Sequence, residues 1–239
     1  MPVIKPTNTL AAFTNSIGAS THRVGWFLLA VLLLVSALYG QFLSSPPVFD
    51  DVPFFERSES GELAISDYQF SFLQLRSLPY STFTWTRTWL GESMLVLRLG
   101  NLAVHLAVVV ALFVLLDFLY TATRVQTEAT ARKFRLFTLL TVLIFALHPT
   151  ATYAVAYLVQ RSTLMAMLFC VLAMLSYVYA CARGSIFWQW VTVPLYYFAV
   201  LSKEHAIMLP AVLVTLNVLM HQDWRAALKK QAGVFVCLM

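Results

Sequence analysis

Long apolar runs separated by short polar breaks make up most of the chain, and only one of the breaks is long. The apolar runs are Gly25 to Leu43, Met94 to Tyr120, Leu136 to His148, Ser162 to Ala182, Ile186 to Leu201 and Ala206 to Met220, and a last one starts at Ala232 and runs to Met239. A helix crosses a bilayer with about 20 apolar residues, so the pattern predicts an all-α, polytopic transmembrane protein. The run at Gly25 to Leu43 exceeds the apolar core of a cleaved leader and reads as a retained anchor behind a cytoplasmic amino terminus, residues 1–24. No polar stop follows the last run, so the chain reads as the front part of a longer protein, cut inside a seventh span. Pro149 to Arg161 is apolar enough to lie in the interface or dip into the membrane.

The long break, residues 44–93, reads as a large first loop of the membrane domain 25–239. It opens with Pro46-Pro47-Val48-Phe49-Asp50-Asp51, so a rigid Pro-Pro lead-in holds two carboxylates a few residues beyond an apolar run. Glu56 to Glu62 reads as exposed chain. In Leu63 to Leu78, the i, i+3, i+7, i+10 spacing of Ile65, Tyr68, Phe72 and Leu75 predicts an amphipathic helix on the bilayer surface. The alternation of Tyr68, Phe70 and Phe72 with Gln69 and Ser71 fits a short strand as well. Tyr80, Phe83, Trp85 and Trp89 read as an interfacial aromatic belt.

Composition strengthens the membrane assignment. Hydrophobic residues make up 60% and charged residues 11% of the chain, with a mean hydropathy of +0.76, against about 25% charged in soluble domains. With the amino terminus inside, the cytoplasmic segments receive ten of the sixteen Lys and Arg and three acids, net +7. The outer segments then receive six bases and eight acids, net −2, a positive-inside pattern that turns Asp50 and Asp51 outward. The overall charge of +5 belongs to loops beside anionic lipid and gives no reason to expect nucleic acid. Cys170, Cys181 and Cys237 show no metal-ligand spacing and read as packing residues.

Several ionisable groups sit at membrane depth. Arg98, Asn101 and His105 recur at i, i+3 and i+7, so they share one helix face that must turn inward. That stripe fits a site as well as it fits structural hydrogen bonding. His148 closes one apolar run, Gln160 and Arg161 open the next, and Lys203, Glu204 and His205 lie in a very short connection. Charges at this depth are costly unless paired or used, although Lys203 could simply pair with Glu204 or a loop acid.

Taken together, five stretches resemble the membrane half of the transmembrane O-mannosyltransferases with tetratricopeptide repeats and their bacterial relatives, which are GT-C glycosyltransferases. They are Phe49-Asp50-Asp51; Arg76-Ser77-Leu78-Pro79; Arg98 to Leu106; Ala146-Leu147-His148-Pro149 with Val155 to Arg161; and Leu201 to Glu204 with Leu209-Pro210. Phe49 to Phe54 is also similar to the first-loop motif of protein O-mannosyltransferases. The chain departs from the family after His148-Pro149, where it has Thr150 to Ala154 in place of a second histidine and a Glu-Ala pair, and it carries no tetratricopeptide repeats.

The resemblance implies a polytopic enzyme of a bacterial inner membrane, with its site on the periplasmic side. Such an enzyme transfers a sugar, with inversion, from a polyprenyl-phosphate-linked donor to a protein or glycan acceptor. Asp50 holds the first acidic place of the resembled motif and would be the general base, with Asp51 orienting it or binding the acceptor. Arg161 and Lys203, with Arg98 or Arg76 in reserve, would neutralise the donor phosphate. Asn101, His105, His148, Glu204 and His205 would support them. No cofactor is expected. A divalent metal on Asp50, Asp51 and a histidine is the alternative, but adjacent acids without a third fixed ligand are a weak metal signal. A non-catalytic membrane subunit, or a lipid-carrier or solute transporter using the same charges, is the rival reading. No repeat of the kind transporters carry is visible.

Overall fold

A computed structural model of the chain describes residues 24–55, 68–123, 128–221 and 223–238. Every regular element among them is helical. In order these are α1 (Val24–Gly40), α2 (Asp51–Phe55), α3 (Ser77–Leu90), α4 (Met94–Thr123), α5 (Glu128–Leu147), α6 (Pro149–Ala156), α7 (Arg161–Arg183), α8 (Ile186–Ser202), α9 (Leu209–Met220), α10 (Trp224–Lys230) and α11 (Ala232–Leu238). Short 3-10 turns, Leu158–Gln160 and Glu204–Met208, precede α7 and α9. The expected amino-terminal segment, and the exposed chain at Glu56 to Glu62, lie outside the described residues.

Two stretches are long and apolar enough to cross a membrane: Met94–Tyr120 in α4 and Leu158–Arg183 through α7, 27 and 26 residues with mean hydropathy 2.7 and 2.2. At 1.5 Å per residue each runs about 40 Å, more than the hydrocarbon core of about 30 Å. Lys133–Leu147 and Pro149–Ala156 form a pair bent by 54°, a third crossing or a re-entrant loop. The bend sits where the sequence demands it. His148 precedes a proline and is extended (φ −61°, ψ 133°), because the proline ring disfavours the helical region for its predecessor. The His148 imidazole then accepts from the Thr150 N–H and caps α6.

The other expected spans are shorter. Val24–Gly40, Ile186–Ser202 and Glu204–Met220 are apolar helices below crossing length. Lys203 ends α8 in an extended conformation (φ −158°), and the 3-10 turn after it uses up residues that would have lengthened α9. The run at the carboxyl end forms the seven-residue α11.

Packing centres on α7, which lies against α4 on one side and α8 on the other. Gly184, in the left-handed region (φ 63°), ends α7 and lets the chain reverse into α8. Lipid offers apolar groups no reason to leave it, so helices in a membrane associate by close packing, which small residues permit. Ala173 and Ala180 of α7 and Ala199 of α8 are completely buried. Val171, Tyr177, Leu213 and Phe235 tie α7 to α9 and α11, and a second cluster joins Val35 and Tyr39 of α1 to Val109, Val142 and Val155. Large apolar side chains remain exposed on outward faces, among them Leu33, Phe137, Ile144, Phe187 and Val236.

The amphipathic helix expected over Leu63 to Leu78 is not found in the described part of that stretch. Residues 68–76 are irregular and α3 begins only at Ser77. The backbone pairs elsewhere: the Arg76 N–H donates to the Leu201 carbonyl at 2.8 Å, the Phe72 carbonyl accepts from the Tyr197 hydroxyl, and the Ser71 carbonyl accepts from Ser77 Oγ. The segment is thereby strapped across the carboxyl end of α8. It forms no strand either, and the rings of Phe70 and Phe72 lie 4.7 Å apart. Of the expected aromatic belt, Trp85 and Trp89 are exposed while Tyr80 and Phe83 are buried.

Candidate functional site

The adjacent acids meet different surroundings. Asp50 is exposed and Asp51 is fully buried. Asp51 Oδ2 accepts from the Leu158 N–H and Oδ1 from the Val159 N–H, each at 2.9 Å. One residue earlier the Asp50 N–H donates to the Tyr157 hydroxyl at 3.0 Å. Residues 50–51 are thus clamped in register along 157–159, the break between α6 and α7. Burial raises the Asp51 carboxyl above its ordinary value, and the two backbone N–H groups and the Arg98 charge oppose that rise. Burial, followed by the Asp50 carboxylate, pushes the Tyr157 hydroxyl up to about 12, so it stays a neutral phenol whose oxygen accepts the Asp50 N–H.

The polar stripe of α4 holds this break from beneath. Arg98 donates Nε to the Ala156 carbonyl at 2.9 Å and Nη2 to the Pro46 carbonyl at 2.9 Å, and Nη1 reaches the carbonyls of Leu43 and Ser45. It joins both sides of the clamp, the segment before Asp50 and the segment before Tyr157. Asn101 Nδ2 lies 3.3 to 3.4 Å from the carbonyls of Val155, Tyr157 and Leu158, and its Oδ1 accepts from Arg161 Nε at 2.8 Å. Arg161 also donates to Thr82 Oγ1 and the Leu97 carbonyl and lies 3.7 Å from the centre of the Phe83 ring. Gly100 leaves room for it, for a Cβ there would lie 2.7 Å from Arg161 Nη2. Deeper still, the His105 ring is 3.2 Å from the Ala146 carbonyl and edge-on to Tyr39. Buried polar groups belong to such satisfied networks because an unpaired one is costly.

Above the buried layer lies a ring of exposed and half-buried groups, Tyr153, Gln160, Thr163, Lys203, Arg76 and Glu204, backed by the buried ring of Tyr157. The Tyr157 ring packs 5.0 Å from Tyr153, whose hydroxyl accepts from Gln160 Nε2 at 3.1 Å. Gln160 Oε1 in turn accepts from Lys203 Nζ at 3.4 Å, and Lys203 also donates to Thr163 Oγ1 at 2.7 Å. Arg76 grips Glu204, the residue after Lys203, at two points, 2.6 and 3.3 Å. The contacts thus run as an arc from Asp50 through Tyr157, Tyr153 and Gln160 to Lys203 and its neighbour Glu204. Among the described residues, Phe49 and Arg76 are the non-glycine residues with positive φ, 51° and 63°, and both sit on this ring. Such strain costs on the order of 1–3 kcal/mol and concentrates at functional sites.

The sequence-derived candidates divide accordingly. Asp50, Arg76, Lys203 and Glu204 share the ring, whereas Asp51, Arg98, Asn101, Arg161 and His105 lie in the layer beneath. Exposed His148 serves as a helix cap, and His205 is exposed at the turn after Lys203. No three His, Cys, Asp or Glu among the described residues stand where one metal ion could be held. Tyr80, Tyr153, Tyr157 and Thr163 were not singled out as site residues. Tyr157 lies in the Val155 to Arg161 stretch, but its contact with Asp50 spans 107 positions and no local pattern announces it.

The fold and site define an all-helical chain with two or three membrane-length apolar helices and a polar ring at one end of them. No family model, curated protein or solved structure matches it.

Proposed function

We propose that the chain is the GT-C-like membrane domain of a glycosyltransferase, which moves a sugar from a polyprenyl-phosphate-linked donor to a protein or glycan hydroxyl on the non-cytoplasmic face. The observation that carries this reading is the unequal pair of acids: one buried and spent on backbone N–H groups, the other held at the surface by its own backbone, within a ring that also holds Lys203 and Arg76. Asp50 takes the proton of the acceptor hydroxyl as that oxygen attacks the anomeric carbon. The bond from the anomeric carbon to the phosphate oxygen breaks, and the lipid phosphate leaves with the electron pair. Lys203 and Arg76 offset its charge. Asp51 acts through the clamp, as a positioning residue. Of the cations expected at the phosphate, Arg161, named first with Lys203, and Arg98, held in reserve, have their donors committed to protein oxygens, so the phosphate falls to Lys203 and Arg76.

The same commitment weighs against a carrier. A transporter of this kind needs intramembrane charges free to hold cargo, and Arg98, Asn101, His105 and Arg161 are engaged with protein partners. Lys203→Gln should weaken binding of a polyprenyl-phosphate sugar about tenfold, the loss of one charge-assisted contact, with insertion and thermal unfolding unchanged. Binding as tight as the parent's in a folded variant would take Lys203 out of the phosphate site.

A further inference from the structure

We propose that Glu204 is an internal stand-in for phosphate: its carboxylate fills an anion site at Arg76, next to Lys203, and the donor phosphate displaces it on binding. This rests on the assignment of Arg76 and Lys203 to the donor phosphate. The Arg76 fork meets the two Glu204 oxygens through Nη2 at 2.6 Å and Nε at 3.3 Å, and the same fork accepts two oxygens of a phosphate. Both side chains are well exposed, 41% and 43%, and an ion pair that water reaches is weak and opens easily. Arg76 itself is held in place by its N–H bond to Leu201 and by its left-handed backbone, so the guanidinium stays at the ring whichever anion it holds. Lys203 lies beside it on the neutral oxygens of Thr163 and Gln160, ready to add a second cation. The Arg76 hydrogen bond, with help from the backbone, holds the Glu204 carboxyl down at about 2. Its charge, and the link it makes, are therefore complete at neutral pH and are lost only as the pH falls from the ordinary glutamate range towards that value. The occupant is an anion under all working conditions, and displacement needs a competing anion rather than a change of pH.

The test is binding of a polyprenyl phosphate without sugar to the full chain in nanodiscs, with inorganic phosphate measured in parallel. Glu204→Gln should bind the lipid phosphate roughly three- to tenfold tighter than the parent, because a competitor and a like charge have gone. Glu204→Asp, too short to keep both contacts, should move the same way by less, and it decides the matter if the glutamine variant does not fold. Tightening shared by inorganic phosphate makes the site a reader of phosphate alone; tightening confined to the lipid adds a contribution from the tail. Unchanged or weaker binding by a folded variant, with the parent still binding, would make Glu204 a structural partner of Arg76 and leave the phosphate assignment standing. No binding by parent or variant would remove both.

Discussion

Replacing Asp50 by asparagine should lower the turnover of sugar transfer by about 10²–10⁴-fold, the range spanned by loss of a general base, and should leave donor affinity close to the parent's. The substitution keeps the size of the side chain and removes the proton acceptor. It should not disturb the fold, because what secures Asp50 is its backbone N–H on the Tyr157 hydroxyl, which asparagine keeps, and because the side chain is at the surface. A fall in turnover with constant donor binding separates a loss in the transition state from a loss of binding. Near-normal turnover by well-folded Asp50→Asn would remove this carboxylate from the chemistry.

Asp51→Ala should act on stability instead, lowering it by about 2–6 kcal/mol. The alanine leaves the N–H groups of Leu158 and Val159 buried without acceptors, and each orphaned donor costs about 1–3 kcal/mol. It also removes the nearby negative charge that favours Arg98, a cation already enclosed by backbone carbonyls. The loss should be local before it is global, with faster amide exchange at residues 157–160 than in the following α7, and any effect on turnover should follow the population of molecules with an intact clamp. Chemical unfolding in nanodiscs reads the size. An Asp51→Ala protein as stable as the parent, with unaltered exchange at 157–160, would show that the clamp holds nothing.

Much of the architecture was legible because period and composition dictate it. The α4 span was bounded at Met94 to Tyr120 from hydropathy alone, and the structure has a membrane-length stretch between the same residues. The break at His148-Pro149 was legible because a proline excludes helix from the residue before it. The inward turn of Arg98, Asn101 and His105 followed from their spacing, and all three are buried. What they face was hidden, since the stripe is bonded to backbone carbonyls that carry no sequence signature. Local pattern misled over residues 68–76, the described part of a stretch where helical and strand periods coexist, because pairing with α8 overrode both there. It also failed to divide the labour between Asp50 and Asp51, adjacent and chemically alike, because burial of one of them is decided by residues more than a hundred positions away.

Release of sugar from a lipid phosphate is the most direct measure of what this ring does. Purified chain in nanodiscs, given polyprenyl-phosphate donors of several sugars with a peptide or glycan acceptor, should transfer one of them to the acceptor. Asp50→Asn should bind that donor and fail to transfer. Donor bound by both proteins and consumed by neither, across the whole donor set, would contradict the enzymatic account and return the ring to a lipid-carrier role.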